Sequence, residues 1–267
     1  MLLVKKTFHC ILVILACLPC LKAQDIRIVY EYKVQKDSLK EDIQTSDMYL
    51  DISAMNSYFY NPSLTNRFIE NKSKAEQNKI ADMHIIIKNR KNNEIIDITD
   101  LDGDTYKVFD DRKIIWTLTK ERDTILGYES QKAITSFGGR QWNAWFTMAI
   151  PSQEGPYKFH GLPGTIIKME DDKKQHSFTI QSLQTLNDFE IEGIEDKFNS
   201  IKITQAQYKK IYTNYRKNPV RKWREKGIVK GLSDHGKEEN ASEVLKNMEK
   251  YLKMNLPNNV LEADLLK

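Results

Sequence analysis

The sequence predicts a mainly β protein of the α+β class, built on one curved antiparallel sheet or open half-barrel with helices at its C-terminal end. Three observations lead to this prediction. Short runs of alternating apolar and polar residues recur from Ile26 to Ile194. Turn residues such as Asn92-Asn93 and Asp102-Gly103 separate them, as in β-hairpins. Apolar residues at helical spacing begin only after Thr204.

The first predicted strand runs from Asp25 to Val34, because apolar and polar residues alternate there. The polar stretch 62–81 fits either a surface helix or a mobile loop. Asp123–Gly127 is expected to be a turn and Gly138-Gly139 a bend or bulge. Further strands are expected at 48–52, 58–60, 83–88, 94–98, 106–109, 114–119 and 131–137.

The segment Arg140–Ile167 is the part of the chain on which the functional predictions depend. It opens as a strand with Trp142 and Phe146 on one face and Trp145 on the other. We predict a type II turn at Leu162–Thr165, because proline presets the second position and glycine accepts the positive φ of the third. An aromatic connection this long is typical of a functional loop. Its structure-breaking residues are Pro151, Gly155, Pro156, Gly161, Pro163 and Gly164.

The rest of the chain changes from strands to helices. Residues 176–183 and 189–194 form a candidate hairpin around Asn187-Asp188. Thr204 is a good N-cap for a helix that Pro219 ends, and a second helix is expected at 241–254. The predicted organisation is therefore a β domain at 24–203, containing the loop, and a helical C-terminal extension at 204–267.

Residues 1–23 are typical of a signal peptide. Lys5 and Lys6 precede an apolar run that is too short to span a bilayer, and Leu21-Lys22-Ala23 resembles a cleavage site. A lipoprotein signal ending at Cys17 is the alternative. All three cysteines lie in this segment, so an exported chain would hold no disulfide and no thiol nucleophile. We predict an exported protein without a transmembrane segment after residue 23 and without a cofactor.

The charge balance argues against nucleic-acid binding. The formal net charge is +4, and subtracting Lys5, Lys6 and Lys22 leaves +1 for the rest of the chain. The basic run from Lys217 to Lys230, which contains Trp223, fits a solvated connection between helices better than a docking surface for anionic lipid or a partner.

A set of short motifs lies in and before the central segment: Gly127-Tyr128, Gln131-Lys132-Ala133, Gly139-Arg140, Ala144 to Thr147, Ile150-Pro151 and Gly155 to Gly164. In these motifs the chain resembles the GLPGLI family of exported Bacteroidetes proteins. This sequence has Thr165 where the family name has leucine, and Ser130 where a cysteine is common. The resemblance implies the periplasm or envelope of a Gram-negative bacterium, a fold similar in outline to lipoprotein carriers, no established activity, and an outer-membrane transport receptor as a partner.

The central segment supplies the candidate ligand-binding residues. In one interpretation they line a pocket for an apolar small molecule, a lipid or a peptide, with 151–164 as its lid. In the other the loop plugs the sheet and its aromatic side chains are core. Trp142 and Trp145 point to opposite faces, so at most one can line a given cavity. The set is Arg140, Trp142, Trp145, Phe146, Tyr157, Phe159, His160, Leu162, Pro163 and Gly164.

Charged residues of the loop leave other chemistry open. Arg140 and Glu154 could form an ion pair that holds the loop shut, or Arg140 could bind an anionic head group. His160 could act as a base in a hydrolase or as one ligand of a metal site completed by distant residues. The chain has no GxSxG, HExxH or SxxK motif after residue 23. The leading prediction is a non-enzymatic envelope protein that binds an apolar ligand or an envelope partner through residues 140–165; the hydrolase and metal-handling functions are the alternatives.

Overall fold

The computed structural model describes residues 25–63, 84–187, 191–227 and 241–267. Within them the chain forms one twelve-stranded sheet in the order β12-β6-β5-β4-β3-β2-β1-β11-β10-β9-β8-β7. Every pair is antiparallel except β12 with β6, which is parallel. The strands are β1 (Ile26–Gln35), β2 (Ile43–Ile52), β3 (Asn56–Tyr60), β4 (His84–Asn89), β5 (Ile95–Leu101), β6 (Asp104–Asp110), β7 (Thr117–Ile125), β8 (Tyr128–Phe137), β9 (Arg140–Thr147), β10 (Thr165–Asp171), β11 (His176–Thr185) and β12 (Ile201–Thr204).

Three helices follow the sheet: α1 (Gln205–Lys217), α2 (Arg221–Glu225) and α3 (Ala241–Asn255). Thr204 caps α1 in a capping box with Gln207, as its residue type predicts. The predicted fold class, a mainly β antiparallel sheet with C-terminal helices, is confirmed. Helix α2 was not predicted, because its five residues are too few to show a helical period. None of the helices in the described ranges combines the length and the apolar character that crossing a membrane requires.

Several predicted boundaries are wrong. β7 begins at Thr117 rather than Ile114 and continues to Ile125, through most of the expected turn. The turn itself is Leu126-Gly127, whereas Gly138-Gly139 is a two-residue hairpin turn, the first of the two expected alternatives of bend or bulge. All four residues have positive φ, which matches the twist of the strands they join.

The predicted hairpin at 176–194 is also wrong. β11 pairs with β1 and β10, and in the expected second strand the described residues 191–193 form a turn that leads into a 3₁₀ helix at Ile194–Lys197. Ile191 and Ile194 pack on Tyr58 and Ile85 of the sheet, so the apolar pattern there reflects burial without a strand. The predicted signal peptide and most of the 62–81 stretch lie outside the described residues, as do residues 188–190.

The largest core lies on one face of the sheet. It joins strands far apart in the sheet order, including Ile95 of β5 and Ala133 of β8, with Tyr157, Phe159 and Leu162 of the loop. Since β5 and β8 are separated by seven strands, the sheet must curve around the loop for all of them to share one core. We call this side of the sheet the inner face. A separate cluster packs α1 on β6 through Tyr106, Val108 and Tyr208.

Candidate functional site

The loop between β9 and β10 crosses the inner face and fills it. Phe159 is fully buried, and its ring lies 5.0 Å from that of Trp142 and 5.5 Å from that of Phe137, centroid to centroid. Trp116 also contacts Phe159 and donates a hydrogen bond from Nε1 to His160 O at 2.8 Å. The loop aromatics therefore form part of a packed core.

The predicted ligand-binding residues separate into a buried group and a peripheral group. Trp145 lies on the opposite, outer face of β9, as alternation predicts, with Lys132 Nζ 6.0 Å from the centre of its ring. His160 is half-buried and Pro163 is exposed. The buried members are Arg140, Trp142, Phe146, Tyr157, Phe159, Leu162 and Gly164.

Gly164 is needed for space rather than for positive φ. Its φ is not positive, so the predicted type II turn is wrong. A Cβ at this position would lie 2.1 Å from the carbonyl oxygen of Thr147, which no side chain tolerates. Gly161 supplies the left-handed conformation instead, with φ at 87°. There Gly161 N donates to Gln153 O at 2.8 Å and ties the two arms of the loop together.

A buried charge cluster surrounds Lys158, whose side chain is 1% exposed. Its Nζ lies 3.2 Å from Asp97 Oδ2, 3.1 Å from Asp110 Oδ2 and 2.6 Å from Glu262 Oε1. Arg112 also pairs with Asp110 and Glu262, at 2.5 and 2.7 Å. Ion pairs of Lys158 therefore connect the loop to β5, to the end of β6 and to the C-terminal segment.

The cluster keeps its members charged. Burial opposes ionisation of Asp110, but hydrogen bonds from Arg112 and the charge of Lys158 outweigh it and lower its pKa to about 2. The pKa of Glu262 is also lowered, since Lys158 and Arg112 overcome the cost of its burial. For Lys158 burial acts to lower the pKa, but the charges of Glu262, Asp97 and Asp110 raise it overall. A buried ion cluster of this kind is tolerated because each charge has partners.

A second buried pair holds the other arm of the loop. Glu154 lies 3.0 Å from Lys88 Nζ and accepts a hydrogen bond from Ser57 Oγ at 2.9 Å. Lys88 also donates to the carbonyls of Gly155 and Phe159, at 2.8 and 3.0 Å. Burial raises the pKa of Glu154, but the adjacent Lys88 outweighs it, so the net shift is downward.

Arg140 and Glu154 do not pair with each other, so that expectation is wrong. Arg140 Nη1 donates to Asp171 at 2.8 Å, and Nη2 donates to Asn259 and to Val260 O. Arg140 is thus committed to fixing the C-terminal segment against β9 and β10. Arg140 begins β9, at the end of the strand away from the loop, whereas Glu154 lies in the loop, and the two have different buried partners.

His176 completes the group around Arg140. Its Nδ1 lies 2.7 Å from Tyr32 Oη, and its Nε2 lies 3.3 Å from Asn259 Oδ1. Burial and the adjacent Arg140 charge lower the pKa of His176 to about 3. The imidazole is therefore neutral at physiological pH and serves as a hydrogen-bonding core residue.

His160 has a backbone partner. Its Nδ1 lies 3.0 Å from Lys158 O, and because a carbonyl only accepts, that nitrogen carries the proton. Burial, followed by the charge of Lys88, lowers the pKa of His160. The described residues contain no group of three or more histidine, cysteine, aspartate and glutamate side chains placed to hold a metal ion.

In the described part of the chain, two surface depressions lie away from the predicted aromatic ligand-binding residues. The larger, of about 410 Å³, sits at the β8–β9 turn between Gly139, Lys173 and Ala263; of the predicted ligand-binding residues, Arg140 alone lines it. The second, of about 320 Å³, lies between β7 and β8 and is lined by residues that include Ile115, Ile134 and Gln141. Neither is the aromatic pocket that the sequence suggested.

Residues 138–168 match the model of a family described as "Protein of unknown function (Porph_ging)". The match covers β9, the loop and the start of β10. No curated protein matches the chain.

The fold is similar to that of PNGF-II in two crystal forms. One alignment gives a TM-score of 0.52 at 19% identity over 70% of this chain and 33% of that chain. The other gives 0.50 at 18% identity over 70% and 32%. At this identity the similarity concerns the fold alone, and the chain spans about a third of the length of PNGF-II.

Sequence reasoning missed the charge cluster as a site. In the sequence Lys158 belongs only to the family-like stretch Gly155 to Gly164, and its partners Asp97, Asp110 and Glu262 come from distant parts of the chain. The one local signal is a lysine placed between Tyr157 and Phe159, two aromatic residues that are both buried. A charged residue in such a position requires buried partners.

Proposed function

We propose that this is an exported, non-enzymatic envelope protein of the GLPGLI type, which binds an envelope protein partner through the exposed rim of the 140–165 region. The observation that carries the proposal is that the loop is a filled, ion-anchored core with an exposed edge. A carrier in the lipoprotein-carrier manner would need apolar space beneath the loop for a ligand. Here Phe159 and Leu162 occupy that position.

The exposed residues of the 140–165 region, which we call the rim, have a composition suited to a protein interface. Met148 is 71% exposed at the end of β9, and Pro151, Gln153 and Pro163 are also exposed. Pro163 and Met148 both lie at the loop ends of the strand pair, because Thr165 of β10 pairs with Thr147 of β9. Methionine adapts to irregular apolar surfaces and is enriched at interfaces.

The buried ion pairs of the loop explain why the rim could bind a partner tightly. The ions around Lys158 and Glu154 fix the loop at both arms before a partner arrives. A preorganised surface loses little conformational entropy on association, so more of the contact energy appears as affinity. An outer-membrane transport receptor is the partner class that the family resemblance suggests.

Site-specific photocross-linking in the native envelope tests this proposal. A cross-linking residue at Gln153, on the rim, should give one discrete product containing an identifiable envelope protein, whereas the same residue at Lys202, exposed on β12, should not. Met148→Asp should abolish the Gln153 product while leaving the melting temperature unchanged, because its side chain is exposed.

Native mass spectrometry of gently purified protein provides the contrary result. A retained lipid or peptide, together with no cross-link from the rim, would overturn the proposal in favour of a carrier. An unmodified chain mass together with a rim-dependent cross-link is the expected outcome.

A further inference from the structure

The net charge differs in sign between the β region and the C-terminal part of the chain. Residues 24–204 contain 24 basic and 29 acidic side chains, a net charge of −5. Residues 205–267 contain 14 basic and 8 acidic side chains, a net charge of +6. Within 205–227, the described part that contains α1 and α2, eight basic residues face one acid, Glu225. The near-neutral total therefore conceals a strongly polar distribution.

Many of these basic side chains are exposed to solvent. α1 buries Tyr208 against β6, with Ile211, Tyr212 and Tyr215 packed beside it. Lys210, Asn214 and Lys217 recur at helical spacing and are exposed. We call the exposed cations of α1, α2 and the residue after α2 the basic surface; they are Lys210, Lys217, Arg221, Arg224 and Lys226.

Internal ion pairs offset only part of this charge. Lys222, which is half-buried, pairs with Asp104 and anchors α2 to the β5–β6 turn. Arg224 pairs with Glu249 of α3 at 2.6 Å, and Arg221 with the exposed Glu225 at 3.2 Å. Lys210, Lys217 and Lys226 make no ion pair with any residue in the described part of the chain. Lys158 differs from these three lysines, because it pairs with three carboxylates.

Apolar side chains are exposed on the helix that the basic surface contacts. On α3, Tyr251 is 67% exposed and Met254 is 75% exposed, and Met254 lies one helical turn after both Lys250 and Tyr251. Trp223 of α2 is half-buried between exposed arginines. Aromatic side chains beside lysines are typical of surfaces that lie at a lipid–water interface.

We propose that the basic surface docks this protein peripherally on an anionic lipid bilayer. Each lysine or arginine near such a surface is attracted to the acidic head groups, and Tyr251 and Met254 can enter the interfacial layer. The net charge of −5 on residues 24–204 disfavours a long polyanion such as nucleic acid, which would also meet the acidic region. This inference does not depend on the partner proposed for the loop.

Vesicle co-sedimentation tests the inference with the chain from Gln24 to Lys267. It should bind vesicles of equal parts phosphatidylglycerol and phosphatidylethanolamine, and it should leave phosphatidylcholine vesicles in the supernatant. Binding should disappear in about 1 M salt, where the Debye length is roughly 3 Å. Binding to phosphatidylcholine vesicles equal to that on the anionic ones would overturn the inference, as would binding to duplex DNA without binding to anionic vesicles.

A matched pair of variants separates location from total charge. Combining Lys210→Gln, Lys217→Gln, Arg221→Gln and Lys226→Gln should weaken partitioning to anionic vesicles by about ten-fold or more. The control combines Lys91→Gln, Lys113→Gln, Lys120→Gln and Lys173→Gln, which are exposed in the β region and remove the same charge. The control should keep at least half of the partitioning to anionic vesicles that the unmodified chain shows. An equal loss of partitioning in both variants would overturn the inference. Circular dichroism melting verifies that both are folded.

Discussion

Lys158 and Lys217 are the same residue type in opposite settings. Lys158 lies on the inner face, 1% exposed and surrounded by Asp97, Asp110 and Glu262. Lys217 lies at the end of α1, exposed and outside any ion pair among the described residues. A buried charge with fixed partners holds distant segments in one arrangement, whereas an exposed charge contributes little to stability and remains available for binding. The inner face and the basic surface therefore use positive charge for different purposes.

The largest difference between the regions should appear on removal of the cation. Lys158→Met would leave three carboxylates in the core without their shared partner and should lower the free energy of unfolding by about 3–5 kcal/mol. The same substitution at Lys217 should change it by less than about 0.5 kcal/mol. Urea unfolding followed by tryptophan fluorescence measures both. A loss below about 1 kcal/mol for Lys158→Met would show that the cluster is not needed to hold the loop.

Aromatic residues should give a comparable contrast. Phe159→Ala removes a fully buried ring that contacts Trp142 and Phe137, and should cost about 3–5 kcal/mol. Tyr251→Ala on α3 should be within about 0.5 kcal/mol of the unmodified chain, because its ring is mostly exposed. Equal effects at the two positions in the same denaturation experiment would contradict the assignment of the loop as core.

Acid should weaken the inner face through His176. The folded protein lowers its pKa from 6.5 to about 3, so between these values the unfolded chain binds a proton that the folded chain does not. Stability from this group is complete above pH 6.5 and is lost as the pH falls towards 3, by about 1.4 kcal/mol per pH unit in the middle of that window. His160, whose pKa is also lowered, adds a change of the same sign.

His176→Gln isolates the contribution. Glutamine keeps polar atoms near Tyr32 and Asn259 but does not titrate. The slope of unfolding free energy against pH between 6 and 4 should therefore decrease by about 1.4 kcal/mol per pH unit, which corresponds to one proton. An unchanged slope would show that His176 is protonated in the folded protein. The basic surface provides the contrast, because lysines and arginines do not titrate in this range.

Much of the architecture could be predicted from local pattern. The alternation of Ile28 and Tyr30 with Arg27 identified β1, and Thr204 identified the start of α1, because period and capping depend on neighbouring residues. Errors arose where burial without a strand gave the same pattern, as at Ile191 and Ile194. Another arose at Gly164, where a close backbone approach and a positive φ call for the same residue type.

The candidate site was predictable only in part. The run of glycine, proline and aromatic residues marked the loop as constrained, and the opposite directions of Trp142 and Trp145 followed from strand geometry. The partners of its charges did not follow. Arg140 was matched with the nearby Glu154, yet it binds Asp171 and Asn259. Proximity in sequence did not indicate these partners, because Arg140 and Asn259 meet only in the folded sheet.

The sequence by itself determined the fold class, the position of the central loop and the concentration of basic residues after Thr204, since each depends on residue types at short spacing. Tertiary structure alone decided that the loop aromatics are core, that Lys158 has three carboxylate partners and that Lys217 has none among the described residues. The reason is physical: burial and ion pairing depend on groups that are far apart in sequence, such as Lys158 and Glu262 at a separation of 104 residues, and these meet only when the sheet curves around the loop.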